Sequence, residues 1–138
     1  GKAVAIGEVA DTAPIHRAVD VVVVPSTANE SAPRAIAEAQ AAGTAVVASA
    51  IGGTAEMIAD GRTGLLVPPG DAAALAATLR RITEDRQLRL RLAQAGEQHA
   101  LDEYSLPTFA ARCARAIHEA WPTAASDAAL LPRGSVAG

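Results

Sequence analysis

The sequence predicts an α/β fold: a small, doubly wound parallel sheet with flanking helices, followed by a purely helical C-terminal part. Three observations predict it. Short Val- and Ile-rich runs recur along the first half of the chain, helical stretches lie between them, and the joints are short and marked by Gly or Pro. Strand–helix–strand alternation of this kind makes crossover units, and crossovers make a parallel sheet.

Strands are expected at Ala3–Ile6, Val19–Val24, Ala45–Ala48 and Gly64–Val67. Each is too short for a stable helix, and most are continuously apolar, as strands buried on both faces are. Helices are expected at Thr12–Ala18, Pro33–Ala42, Thr54–Ala59 and Asp71–Thr83. Pro33 suits a first helical turn, where its missing N–H costs nothing, and Gly43 ends the same helix. Gly53 with Glu56 three residues on fits a helix start whose free amides meet a carboxylate. Asp71 reads as the N-cap of a helix carrying Leu75, Leu79 and Ile82 on one stripe.

Beyond residue 84 the pattern is helical only. Arg86–Ala100 carries Leu88 and Leu92, and Leu106–Trp121 carries Phe109, Cys113, Ile117 and Trp121 at fourfold spacing. That second stripe is expected to dock on the sheet layer, with Cys113 and Trp121 in the core. Residues 1–121 are expected to form one partial domain and 122–138 a mobile tail.

The chain's 138 residues suffice for one domain and are too few for a two-domain enzyme. Half of the residues are hydrophobic, 20% are charged and 2% are aromatic. Ala, Val, Leu and Ile therefore supply the core, and the charge is ordinary for a folded globule. The net charge is −3, and every basic residue except Lys2 is a scattered arginine. This excludes a nucleic-acid backbone binder, which concentrates positive charge. One cysteine leaves no disulfide framework and no Cys-rich zinc site. No apolar run approaches the ~20 residues of a membrane span and no export signal opens the chain, so a cytoplasmic protein is expected, without bearing on peripheral membrane contact.

In a parallel sheet, ligands bind beyond the carboxyl ends of the strands, so the loops after Ile6, Val24 and Ala48 carry the most interest. The loop Pro25–Ala32 opens the helix at Pro33, and a helix start at that edge points free amides into the crevice, a site for phosphate. Glu30 lies in the loop and Glu38 lies inside the helix. At ~1.5 Å of rise per residue the two carboxylates stand within about 12 Å. One would then meet a sugar and the other a ribose, with a diphosphate between them on the amides. Two glutamates at this spacing alone favour solvated surface charge; the surrounding order of strand, Pro-Ser loop, helix, strand and Gly-Gly turn favours the site. Gly52-Gly53 would admit close approach by a ligand, and a plain turn explains the pair equally well.

The stretch from Asp20 to Asp71 resembles the donor-binding, C-terminal half of GT-B retaining glycosyltransferases of the family 4 ("group 1") type. The resemblance rests on Glu30 and Glu38 with seven residues between them. Around the pair stand Asp20-Val-Val-Val-Val-Pro-Ser26, Glu38-Ala-Gln-Ala-Ala-Gly43, Gly52-Gly-Thr-Ala-Glu56 and Asp60-Gly-Arg-Thr-Gly-Leu-Leu-Val-Pro68. With the flanking helices it covers residues 3 to about 121. It implies a Rossmann-like fold and transfer of a glycosyl group from a nucleotide-sugar (UDP-, GDP- or ADP-linked) to an acceptor hydroxyl with retention.

The resemblance also implies roles. Glu30 would hold the donor sugar and the developing oxocarbenium charge. Glu38 would accept from the nucleotide ribose. Backbone amides from Ser31 through Ala32 and Pro33 to Arg34 would face the sugar and diphosphate, Gly52 and Gly53 would flank the donor, and Ile6, Gly7 and Glu8 would lie beside the nucleobase. No metal or other cofactor is implied, and His16, His99 and His118 lack metal-ligand spacing and read as surface or capping residues. Position 33 is Pro where many relatives have Gly, which alters the amide cradle. The family's diphosphate-clamping Arg and Lys lie on earlier strands and its acceptor-binding N-terminal domain precedes them, so the chain is expected not to turn over alone.

A phosphoacceptor receiver would need Asp where Pro25 stands, and a dinucleotide oxidoreductase would need a Gly-x-Gly-x-x-Gly that the chain lacks. A nucleotide-sugar 2-epimerase shares the GT-B architecture, so fold alone does not choose the reaction. A non-catalytic binding or interaction module remains the other alternative, with self-association through an exposed sheet edge.

Overall fold

The computed structural model describes residues 3–28 and 30–121. The elements run α1 (Ala13–Ala18), β1 (Val21–Val24), α2 (Arg34–Ala41), β2 (Ala45–Ser49), α3 (Thr54–Met57), β3 (Leu65–Val67), α4 (Ala72–Glu84), α5 (Arg86–Tyr104) and α6 (Leu106–Ala120). The three strands form one parallel sheet in the order β1-β2-β3. Val21 stands opposite Ala45 and Val47 opposite Leu65. The fold is α/β and Rossmann-like, as the alternation predicts.

The central strand explains why its sequence is apolar without alternation. Every residue of β2 is buried. Ala45 and Val47 pack with Leu65, Val67, Ile82, Leu88 and Leu92 on one face, and Val46 and Ala48 pack with Ile36, Ala39 and Ile58 on the other. Fully burying one such aliphatic side chain stabilises the fold by roughly 1.5–3 kcal/mol. Helix ends follow local chemistry. Asp71 caps α4 by accepting from the Ala74 amide at 2.9 Å, and Gly43 turns the chain out of α2 with φ of 70°. Pro33 sits one residue earlier than a first-turn position, as the N-cap of α2.

Two expectations are corrected: a strand at Ala3–Ile6, and a core position for Trp121 and Cys113. Ala3–Ile6 forms no strand: it is irregular, with Val4 81% exposed, and β1 pairs only with β2 among the described residues. A strand exists only by pairing, and this run finds no neighbour. The described residues divide into two compact units, one ending at Tyr104 and the other beginning at Ser105. Helix α6, in the second unit, has no buried residue, and Trp121 is 65% exposed. The Phe109–Trp121 stripe has the expected period, but Trp121 is not a core residue and Cys113 is only half-buried. Helical periodicity identifies an apolar face without fixing what covers it. The segment 122–138, expected as a tail, lies outside the described residues.

Candidate functional site

Strand β1 delivers the chain to Pro25 at the carboxyl edge of the sheet, where the glutamate loop begins. Ser26 Oγ donates to Glu30 Oε2 at 2.7 Å, so the Glu30 carboxylate folds back over its own loop. The loop backbone is fixed from the next strand connection. The Gly53 amide donates to the Glu30 carbonyl at 3.0 Å. A β-carbon on Gly52 would collide with that same carbonyl oxygen, and one on Gly53 would collide with the carbonyl oxygen of Ser31. The glycine pair is thus the place where two loops meet main chain to main chain.

Glu38 lies in the second turn of α2, and each carboxylate oxygen has its own partners. Oε1 accepts from Arg34 Nη2 at 2.9 Å and Nε at 3.3 Å. Oε2 accepts from Thr12 Oγ1 at 2.9 Å. The imidazole Nε2 of His16 stands 3.5 Å from Oε2. That contact lies outside hydrogen-bond geometry, so both ring nitrogens of the buried His16 go without a hydrogen-bond partner. The Arg34 hydrogen bond, then that of Thr12, holds the Glu38 carboxyl below its ordinary value; partial burial pulls the other way without prevailing. The carboxylate remains 31% exposed and borders a cavity of about 380 Å³ that Thr12, Arg17 and Arg34 also line.

A second cavity, about 190 Å³, opens at the carboxyl ends of all three strands between Pro25, Thr27, Ser49, Pro68 and Asp71. It occupies the edge where parallel sheets receive ligands. Glu30 and Glu38 therefore belong to one loop-and-helix unit but to separate hydrogen-bond networks, one with Ser26 and one with Thr12 and Arg34. Ser31 and Ala32 are exposed at the helix entrance, Pro33 is buried, and Arg34 begins the helix. Ile6, Gly7 and Glu8 lie in an exposed irregular segment. Sequence reasoning missed Thr12 and read His16 as a surface or capping residue, whereas His16 is 8% exposed and faces Glu38. The available signal was their spacing of four on a short helix, which puts both on one face. Among the described residues no cluster of His, Cys, Asp or Glu is placed to hold a metal ion, and no helix is long and apolar enough to cross a membrane.

Residues 3–99 match the family described as Glycosyl transferases group 1, and the chain belongs to that family. It is 44% identical over 86 residues to a D-inositol 3-phosphate glycosyltransferase of Corynebacterium efficiens, covering 62% of this chain and 20% of that protein. A protein of the same name from Streptomyces avermitilis is 48% identical over 84 residues, covering 61% and 18%. The chain thus spans about a fifth of the length of the curated relatives it matches. Among solved structures, Anabaena HepE in complex with UDP-glucose superposes with a TM-score of 0.71 at 30% identity, covering 76% of this chain and 29% of that one. The C-terminal domain of a group 1 glycosyl transferase from Francisella tularensis superposes with a TM-score of 0.65 at 34% identity, covering 73% and 53%. The architecture is that of GT-B glycosyltransferases.

Proposed function

We propose that residues 1–121 are the donor-binding part of a retaining glycosyltransferase that moves a glycosyl group from a nucleotide-sugar to an acceptor hydroxyl. The observation that carries this is the Glu38 carboxylate, kept ionised by Arg34 and Thr12 at the rim of an open cavity, eight positions after Glu30 at the sheet's carboxyl edge. An ionised carboxylate accepts from both hydroxyls of a ribose diol. Glu30 lies toward the donor sugar, where its charge offsets the oxocarbenium character of the transition state. The free amides of Ser31, Ala32 and Arg34 face the diphosphate, with Gly52 and Gly53 behind them and the Ile6–Glu8 segment beside the base. Uridine is the favoured base because HepE, at 30% identity, is solved with UDP and with UDP-glucose.

The isolated chain is proposed not to turn over. Stabilising a leaving diphosphate is a large part of such catalysis, and Arg34, with its side chain 91% exposed and shared with Glu38, is too screened to supply it. Calorimetric titration of UDP, GDP and ADP and their glucose and mannose conjugates, beside Glu38→Ala, tests the reading. Binding of one nucleotide that Glu38→Ala weakens supports it. Equal binding of all three by both proteins, or none by folded protein at millimolar ligand, defeats it.

A further inference from the structure

Helix α1 is six residues long, and the residue before it, Thr12, occupies an N-cap position at which threonine ordinarily satisfies its own helix. Here its hydroxyl makes no such cap. Asp11 accepts from the Ala13 amide at 3.0 Å instead, and the Thr12 hydroxyl goes to Glu38, 26 residues away. One turn further on, His16 presents a buried imidazole to the same carboxylate oxygen. The α1 backbone is tied down behind them, because Thr44 Oγ1 donates to the His16 carbonyl at 2.6 Å. A hydroxyl diverted from a local cap and a buried imidazole without hydrogen bonds thus converge on one oxygen of one carboxylate.

We infer that Thr12, backed by His16, is a positioning residue for ribose recognition: it holds Glu38 Oε2 inward so that Oε1 is the oxygen a ribose hydroxyl meets. The inference rests on the reading of Glu38 as the ribose acceptor. Among the described residues the group on Oε1 is Arg34, whose side chain is 91% exposed and therefore yields its place readily. Guanidinium and carboxylate groups favour a bidentate pairing. With the Thr12 hydroxyl gone, Oε2 is free to turn to Arg34 as well, and the carboxylate is then occupied at both oxygens.

The test titrates the full 138-residue chain with UDP and with 2′-deoxy-UDP, in the wild type, Thr12→Val and Thr12→Ser. The wild type is expected to prefer UDP about tenfold, the worth of one hydrogen bond to a charged group. Thr12→Val, nearly isosteric, is expected to lose most of that preference, and Thr12→Ser to keep it. A wild type that does not distinguish the two nucleotides overturns the reading of Glu38 itself. A wild type that does, with Thr12→Val discriminating equally, overturns the positioning role and leaves that reading intact.

Discussion

The amide of Gly53 donates to the carbonyl of Glu30 at 3.0 Å, which fastens the loop after β1 to the turn after β2. The fastening is close because neither glycine of the turn has a β-carbon to keep the loops apart.

Gly53→Ala is therefore expected to lower stability by about 3 kcal/mol, at the upper end of overpacking costs, because the obstructing atom is a backbone oxygen that cannot swing away. Urea denaturation measures it. Because the displaced carbonyl belongs to the loop that carries Glu30, the variant should also lose nucleotide-sugar affinity under conditions where it is fully folded. A stability change under about 0.5 kcal/mol, the range of an ordinary surface substitution, would show that the contact yields freely.

Acid sensitivity follows from Glu38. Its carboxyl is held below the ordinary value of 4.5, so the folded state binds the proton more weakly than the unfolded chain does. The stabilisation is fully present above the unfolded value and is lost as pH falls through the lower, folded one. Urea midpoints of the wild type should drop below pH 4.5, and Glu38→Gln should remove part of that drop. Coincident curves for the two proteins would mean that the carboxylate's partners do not favour its charged form.

Arg34 separates charge recognition from sugar recognition. Its ion pair with Glu38 is exposed on the arginine side, so Arg34→Ala should cost less than about 1 kcal/mol of stability. Ligand binding should divide. UDP affinity falls roughly tenfold at low salt and less at high salt, because a guanidinium near a diphosphate is a screened charge contact. Uridine, which lacks the phosphates, should bind no more weakly to the variant. Equal losses for UDP and uridine would place the effect on Glu38 and not on the diphosphate.

Stability of the first unit depends on α5. Leu92 is fully buried beneath β2, and Leu92→Ala should cost about 2–5 kcal/mol in chemical denaturation. Trp121→Ala, at an exposed position, should change stability by less than about 0.5 kcal/mol. Equal effects of the two substitutions would contradict the burial pattern.

Local rules were legible where the deciding physics is local. The continuous apolar run Ala45–Ser49 announces a strand covered on both faces, and Asp71 and Gly43 announce helix ends, because a cap or a positive φ is decided within a few residues. The Glu30–Glu38 spacing was equally plain. What the sequence withheld depends on distant packing. Ala3–Ile6 has a strand's composition and no partner, and the Phe109–Trp121 stripe has a core's periodicity and exposed side chains. Thr12 and His16 were missed for the same reason, since their contact with Glu38 spans more than twenty residues and exists only once α1 lies against α2.

The fastening of the Glu30 loop to the Gly52–Gly53 turn is made of main chain on both sides, so it is indifferent to the side chains at positions 31 and 32, which are exposed. Those two positions are consequently free to vary while the scaffold beneath them stays fixed. A lineage, or a combinatorial library, can exchange Ser31 and Ala32 without first accumulating compensating changes in the core.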